Sequence, residues 1–250
     1  MKRWSRAVKY GLLLVMLLAW LPVCQAQEKD QRFEITSTLE ELYGAEQAEK
    51  FREIQEPDAS ITWQVYRPSH PGDEPPGLLV YVSPTRSGSM DGRWTKVLDE
   101  YNLAYIAADR SGNRVPVTRR MVLATSSIYA AKQQFEIDEK RIYVSGFSGG
   151  GRVASFLSRQ YPAVFSGAIF ICGVDFWNED VIRDMDRVLN NRYVFVTGSR
   201  DFNLNETRMV YNKYLKAGAK NSLLEVESGM SHELPNANTL ATALDFLDRR

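Results

Sequence analysis

The chain has 250 residues, 44% of them hydrophobic and 25% charged, with 31 basic and 31 acidic side chains. That length can carry one sizeable hydrophobic core, so one domain is the starting expectation. The balance excludes a disordered chain, a collagen and a multi-span membrane protein.

The first stretch differs from the rest. Lys2, Arg3, Arg6 and Lys9 precede an uncharged apolar run over 11–23, and small Ala26 offers a cleavage point before Gln27. This is the layout of a secretory signal peptide over 1–26, and the run is shorter than the roughly 20 residues that cross a bilayer. An uncleaved anchor and lipid attachment at Cys24 are the two rival readings. The expectation is an exported protein, periplasmic or secreted, with membrane attachment only through its N-terminus. Loss of the leader would leave 27 basic against 31 acidic residues, a net charge of about −4, which suits nucleic acid poorly as a partner. Only Cys172 would remain, so no internal disulfide is expected, and its place at the end of an apolar run reads as a buried thiol.

Residues 27–56 are polar and charged and read as a lead-in, with Ser37 and Thr38 before Leu39, Glu40 and Glu41 offering a capped start to a short helix. The main domain is expected over 57–250. Short β-rich runs at 61–66, 78–82, 103–108, 141–145, 168–172, 193–197 and 223–226 alternate with helical or loop stretches. Such alternation predicts an α/β fold, a mainly parallel central sheet with helices on both faces. The first two strands flank a loop from Pro68 to Gly77 that is rich in Pro and Gly, and are expected to pair as an edge hairpin. Met121, Ala124, Ile128, Ala131 and Phe135 recur at helical spacing, as do Leu240, Ala243, Leu244 and Leu247. Between them, Val153, Phe156 and Leu157 mark a helix after Ser148.

That serine carries the chemistry. In the run RIYVSGFSGGGRV over 141–153, a β-branched strand enters G-x-S-x-G and leaves as a helix, the context of a nucleophile elbow. The turn is tight enough that Gly146 and Gly150 suit the positions two residues either side of Ser148. The N–H of Gly149, at the positive end of the next helix, would stabilise an oxyanion. A serine so placed needs an acid and then a histidine downstream, each on a loop after a strand. Asp201 follows the apolar strand at 193–197, with Asp175 as the runner-up acid. His232 lies past the last strand, and the other histidine, His70, lies upstream. A carboxylate there would fix the imidazole tautomer, and the imidazole would take the serine proton.

With these residues in hand, a resemblance can be stated. The run DEKRIYVSGFSGGG over 138–151, Tyr161 with Pro162, Arg67 with Pro68, and GSRD over 198–201 resemble the polyhydroxybutyrate depolymerase and feruloyl-esterase-like branch of the α/β-hydrolases. The resemblance covers roughly residues 60–247. It implies the α/β-hydrolase fold and a hydrolase of small-molecule or polymeric esters that uses no cofactor. Relatives of this type usually carry His-Gly where this chain has Ser83, Pro84, Thr85 and Arg86, and proline has no N–H to give. By position the second oxyanion donor would be the N–H of Thr85, with Ser83 as fallback. Loss of a donor would cost about 2.7–4 kcal/mol of transition-state stabilisation.

Trp94, Phe176 and Trp177 fall on loops near the strand ends and are expected to line a substrate pocket. Two cysteines and two histidines in scattered positions give no metal-ligand spacing, and no phosphate-binding glycine motif occurs. Two other functions share these features: a serine peptidase of prolyl-oligopeptidase-like type, and a non-catalytic envelope binding protein on the same fold.

Overall fold

The computed structural model describes residues 31–69, 74–177 and 182–249. The expected signal peptide and His70 lie outside them. Eight strands, β1 (Arg32–Ser37), β2 (Ile61–Tyr66), β3 (Gly77–Val82), β4 (Leu103–Ala108), β5 (Ile142–Phe147), β6 (Gly167–Ile171), β7 (Arg192–Gly198) and β8 (Ser222–Glu227), form one sheet. Its order is β1-β2-β4-β3-β5-β6-β7-β8. β1 and β2 run antiparallel to their neighbours, and all pairings from β4 through β8 are parallel. The helices are α1 (Leu39–Tyr43), α2 (Ala45–Glu49), α3 (Thr95–Glu100), α4 (Val117–Lys132), α5 (Gly149–Gln160), α6 (Met185–Asn190), α7 (Leu204–Ala217) and α8 (Ala237–Asp248).

Successive strand side chains point to opposite faces, and both faces are apolar. Leu78, Val80 and Val82 of β3 join Val122 and Ile128 of α4, Val153 and Leu157 of α5 and Tyr214 of α7 in one core. Leu79 and Tyr81 point the other way and pack with Leu98 of α3 and with Leu240, Leu244 and Leu247 of α8. The helical spacings read from the sequence at 121–135 and 240–247 are the faces that lie on the sheet.

The edge of the sheet departs from expectation in two ways. β2 does not pair with β3; it pairs with β1 and β4, and β3 sits between β4 and β5. All six residues of β3 are buried, so it needs a strand on each side, and the connection from Pro68 to Gly77 is long enough to carry the chain past β4. The other correction is β1, inside the stretch read as a polar lead-in. Ile35 and Ser37 point inward and Arg32, Glu34 and Thr36 outward, the alternation of a half-exposed edge strand. The capped helix start appears as read, Thr38 and Glu41 forming a capping box on α1.

Trp63 of β2 fixes this edge to the body: it is fully buried and its indole N–H donates to the Leu123 carbonyl of α4 at 3.0 Å. Trp63→Ala should cost about 3–5 kcal/mol in urea unfolding. A loss under about 1 kcal/mol would show that the edge strands are an ornament on an independently stable sheet.

Candidate active site

β5 ends at Phe147 and α5 starts at Gly149, so Ser148 alone makes the turn. Its backbone sits at φ 55° and ψ −121°, a conformation that non-glycine residues rarely adopt. The glycines on either side let this happen. A Cβ at Gly146 would stand 2.4 Å from the Gly150 carbonyl, and one at Gly150 would stand 1.9 Å from the Val82 carbonyl oxygen. The neighbouring chains therefore close up beneath the serine, and its hydroxyl projects from the end of β5 at the N-terminus of a twelve-residue helix.

Asp201 and His232 come from the loops after β7 and β8. His232 Nε2 lies 2.9 Å from Ser148 Oγ, and Nδ1 lies 2.9 Å from Asp201 Oδ1. An ionised carboxylate only accepts, so the Nδ1–H donates to Asp201 and Nε2 is left to accept the serine hydroxyl. The two loops are tied together: Arg200 N–H donates to the Met230 carbonyl at 3.0 Å, and Gly229 N–H donates to Ser199 Oγ at 2.8 Å.

Asp201 is itself 5% exposed. Burial pushes its carboxyl pKa up, but hydrogen bonds from the Asn203 N–H, His232 and the Thr197 hydroxyl help to outweigh burial and hold it below the usual aspartate value. Cys172 is fully buried, and burial pushes its thiol pKa well up, so it stays protonated and donates. Cys172, Asp201 and His232 offer ligand-type atoms within 4.8 Å of one another. Asp201 and His232 are already bonded to each other, His232 is bonded to Ser148, the Cys172 thiol donates to the Glu233 carbonyl at 3.6 Å, and a cation would have to displace these bonds.

Arg120 of α4 binds the turn from behind. It is 3% exposed, and its guanidinium donates to the Gly149 carbonyl at 3.2 Å and to the Ser83 carbonyl at 3.0 Å. Burial lowers its pKa to about 10, which still leaves it charged near neutral pH. One cation thus fixes the strand end after β3 against the serine turn.

No family model and no curated protein matches the sequence. Solved structures do. A ferulic acid esterase superposes with a TM-score of 0.61 at 13% identity, over 88% of this chain and 98% of its own. An arylesterase gives 0.60 at 14%, over 88% and 86%. Est1E from Butyrivibrio proteoclasticus gives 0.57 at 14%, over 76% and 96%. The chain has the α/β-hydrolase fold.

Within that α/β-hydrolase fold several sequence expectations need correction. The runner-up acid Asp175 is turned away from His232 and pairs with Arg152 at 2.7 Å, beside Glu206 on the same guanidinium at 2.5 Å. Trp94 is 1% exposed and packs in the core, its indole N–H donating to the Pro235 carbonyl at 3.2 Å. Trp177 is also buried, stacked on half-buried Phe176 at 4.5 Å and packed edge-on against Tyr214 of α7. These loop aromatics anchor their loops to the core. The Thr85 N–H turns back onto Ser83 Oγ at 3.2 Å, the capture of an N–H two residues on that serine hydroxyls make in turns, so it is not free to meet an oxyanion.

Three residues near the serine escaped the sequence reading. Phe147 and Phe202 have ring centroids 4.9 and 4.1 Å from the His232 ring, and Phe202 is 77% exposed. Both adjoin a residue of the constellation in sequence, and that adjacency was the available signal. The side-chain amide of Asn113 stands over Gly149, where an added Cβ would meet Oδ1 at 2.2 Å and Nδ2 at 3.0 Å. Nothing in the sequence around Asn113 announces this.

Since hydrogen bonds lower the pKa of Asp201 in the folded state, it stabilises the fold above the unfolded aspartate pKa, and that stability is lost as pH falls through the folded one. Asp201→Asn should therefore melt below the wild type by on the order of a few degrees near neutral pH, and the two should converge on the acid side in calorimetry. A gap independent of pH would contradict this.

Proposed function

We propose that this chain is a serine carboxylic-ester hydrolase acting through an acyl-enzyme. The observation that carries the reading is the unbroken relay from Ser148 Oγ through His232 to Asp201, two contacts of 2.9 Å each, at the end of a parallel strand. His232 Nε2 takes the hydroxyl proton as Ser148 Oγ attacks the ester carbonyl, and the imidazolium formed is held by the Asp201 carboxylate. The C–O bond of the tetrahedral intermediate breaks as His232 returns the proton to the departing alkoxide. Water, deprotonated by the same nitrogen, then attacks the acyl-Ser148 carbonyl and releases the acid.

The oxyanion meets the N–H of Gly149, one of the unpaired donors at the start of α5. We assign the second donor to Asn113 Nδ2 in place of Thr85: the side-chain amide stands over Gly149, and a half-turn of the amide exchanges the nearer Oδ1 for Nδ2. A side-chain amide can serve this role as a backbone N–H does. The choice of an ester substrate is supported by two of the structural neighbours, which are by name a ferulic acid esterase and an arylesterase. An exported setting rests on the basic-then-apolar start of the chain alone.

The test is turnover of a short-chain nitrophenyl ester by the purified protein. Ser148→Ala should lower kcat on the order of 10⁶-fold with unchanged circular dichroism. Equal turnover by the variant would overturn the reading.

A further inference from the structure

A hollow of about 520 Å³ opens between the loop after β3 and the segment joining β4 to α4. Thr85 and Asn113 line its inner side, and Arg86, Arg110, Arg114 and Arg119 line the rest. The two loops are locked together: Arg110 N–H donates to the Arg86 carbonyl at 2.6 Å, and Asn113 N–H donates to the Pro84 carbonyl at 2.9 Å. Asn113 in turn stands against Gly149, so one wall residue of the hollow reaches the residue next to Ser148.

Its charge is one-sided. No aspartate or glutamate lines it. Arg119 is engaged, donating to Gln55 Oε1 and the Arg110 carbonyl. Among the described residues, the exposed guanidinium groups of Arg86, Arg110 and Arg114 have no ion-pair or hydrogen-bond partner. The nearby carboxylate of Asp109 is engaged elsewhere, accepting from the Gly88 N–H at 2.7 Å and the Gln64 amide at 2.8 Å. By contrast, Arg141 sits against Asp248 and Arg152 against Glu206. Moreover, Arg110 is held at φ 53°, in the left-handed region that residues with a Cβ rarely adopt.

Clustered like charges repel, and in a chain with as many acids as bases their assembly without a counter-charge points to an anionic visitor. Guanidinium groups match carboxylates in geometry, with paired N–H donors facing paired oxygens. We infer that the substrate is an ester bearing a carboxylate, which Arg86, Arg110 and Arg114 bind in this hollow while the ester carbonyl lies at Ser148. The inference rests on the ester-hydrolase reading for its reaction, though not for its anion site.

Two substrate pairs separate the sides of the ester: nitrophenyl hemiglutarate against nitrophenyl valerate puts the charge on the acyl group, and carboxyphenyl butyrate against phenyl butyrate puts it on the alcohol. In at least one pair the anionic ester should show kcat/KM about tenfold or more above its neutral partner, through a lower KM, with the gap closing as salt is raised. Arg86→Gln/Arg114→Gln should bring that ratio close to one, whereas Arg208→Gln, which removes a charge from an exposed position on α7, should leave the ratio as in the wild type. No preference in either pair, or a preference that survives the double substitution, overturns the inference. Calorimetry of Ser148→Ala with glutarate and with hydroxybenzoate keeps the two readings apart. If no ester is hydrolysed yet one of these anions binds, and binds about tenfold more weakly once Arg86 and Arg114 are also replaced, the reaction fails and the anion site stands. Absence of saturable binding by either anion overturns the site.

Discussion

The close passage of the Val82 carbonyl over Gly150 is the contact on which the candidate site depends. Because no side chain intervenes there, β3 and the start of α5 approach within a distance that a Cβ would forbid, and the chain at Ser148 is forced into its left-handed turn. That turn aims the hydroxyl away from the sheet and leaves the first N–H groups of α5 unpaired beside it. Two consequences, a projecting hydroxyl and unpaired N–H groups beside it, thus follow from one steric fact. The cost of the strained backbone is met by the packing of β5 between β3 and β6, where Ile142, Tyr143 and Val144 are buried.

Around this turn, polar groups fix the other partners. Arg120 joins the Ser83 and Gly149 carbonyls, so the end of β3 and the start of α5 cannot drift apart independently. Asp201 is anchored through the Thr197 hydroxyl and the Asn203 N–H, and Asn203 also donates to the Cys172 carbonyl at 2.8 Å. The acid is held on several sides before it ever meets His232. An imidazole oriented by such a carboxylate loses little freedom when the proton moves, which is the basis of preorganised electrostatic catalysis.

Much of this was legible in the sequence because it is encoded locally. Gly146, Ser148 and Gly150 announce a turn by residue type, and the apolar runs of β3 to β7 announce a buried parallel sheet. What stayed hidden is encoded by contacts between segments distant in sequence. Pairing of β2 with β4 depends on which strand needs two partners, and nothing in the loop between β2 and β3 states that. Trp94 and Trp177 read as pocket residues because loops are usually exposed, yet here the loops fold back and bury them. Thr85 lost its expected role to a hydroxyl two residues away, and Asn113 came into place through the fold of a separate loop. Of the arginines in the neighbouring hollow, Arg110, Arg114 and Arg119 are close in sequence, but their meeting with Arg86 depends on the fold.

The central claim is that Ser148 is a nucleophile made reactive by His232. Intact-mass and peptide mass spectrometry after exposure to a fluorophosphonate probe tests it directly. The account predicts one adduct per chain, on the peptide containing Ser148, with a labelling rate at least about 10²-fold slower in His232→Ala. An unmodified protein, a label on another serine, or an equal rate in the variant would contradict it.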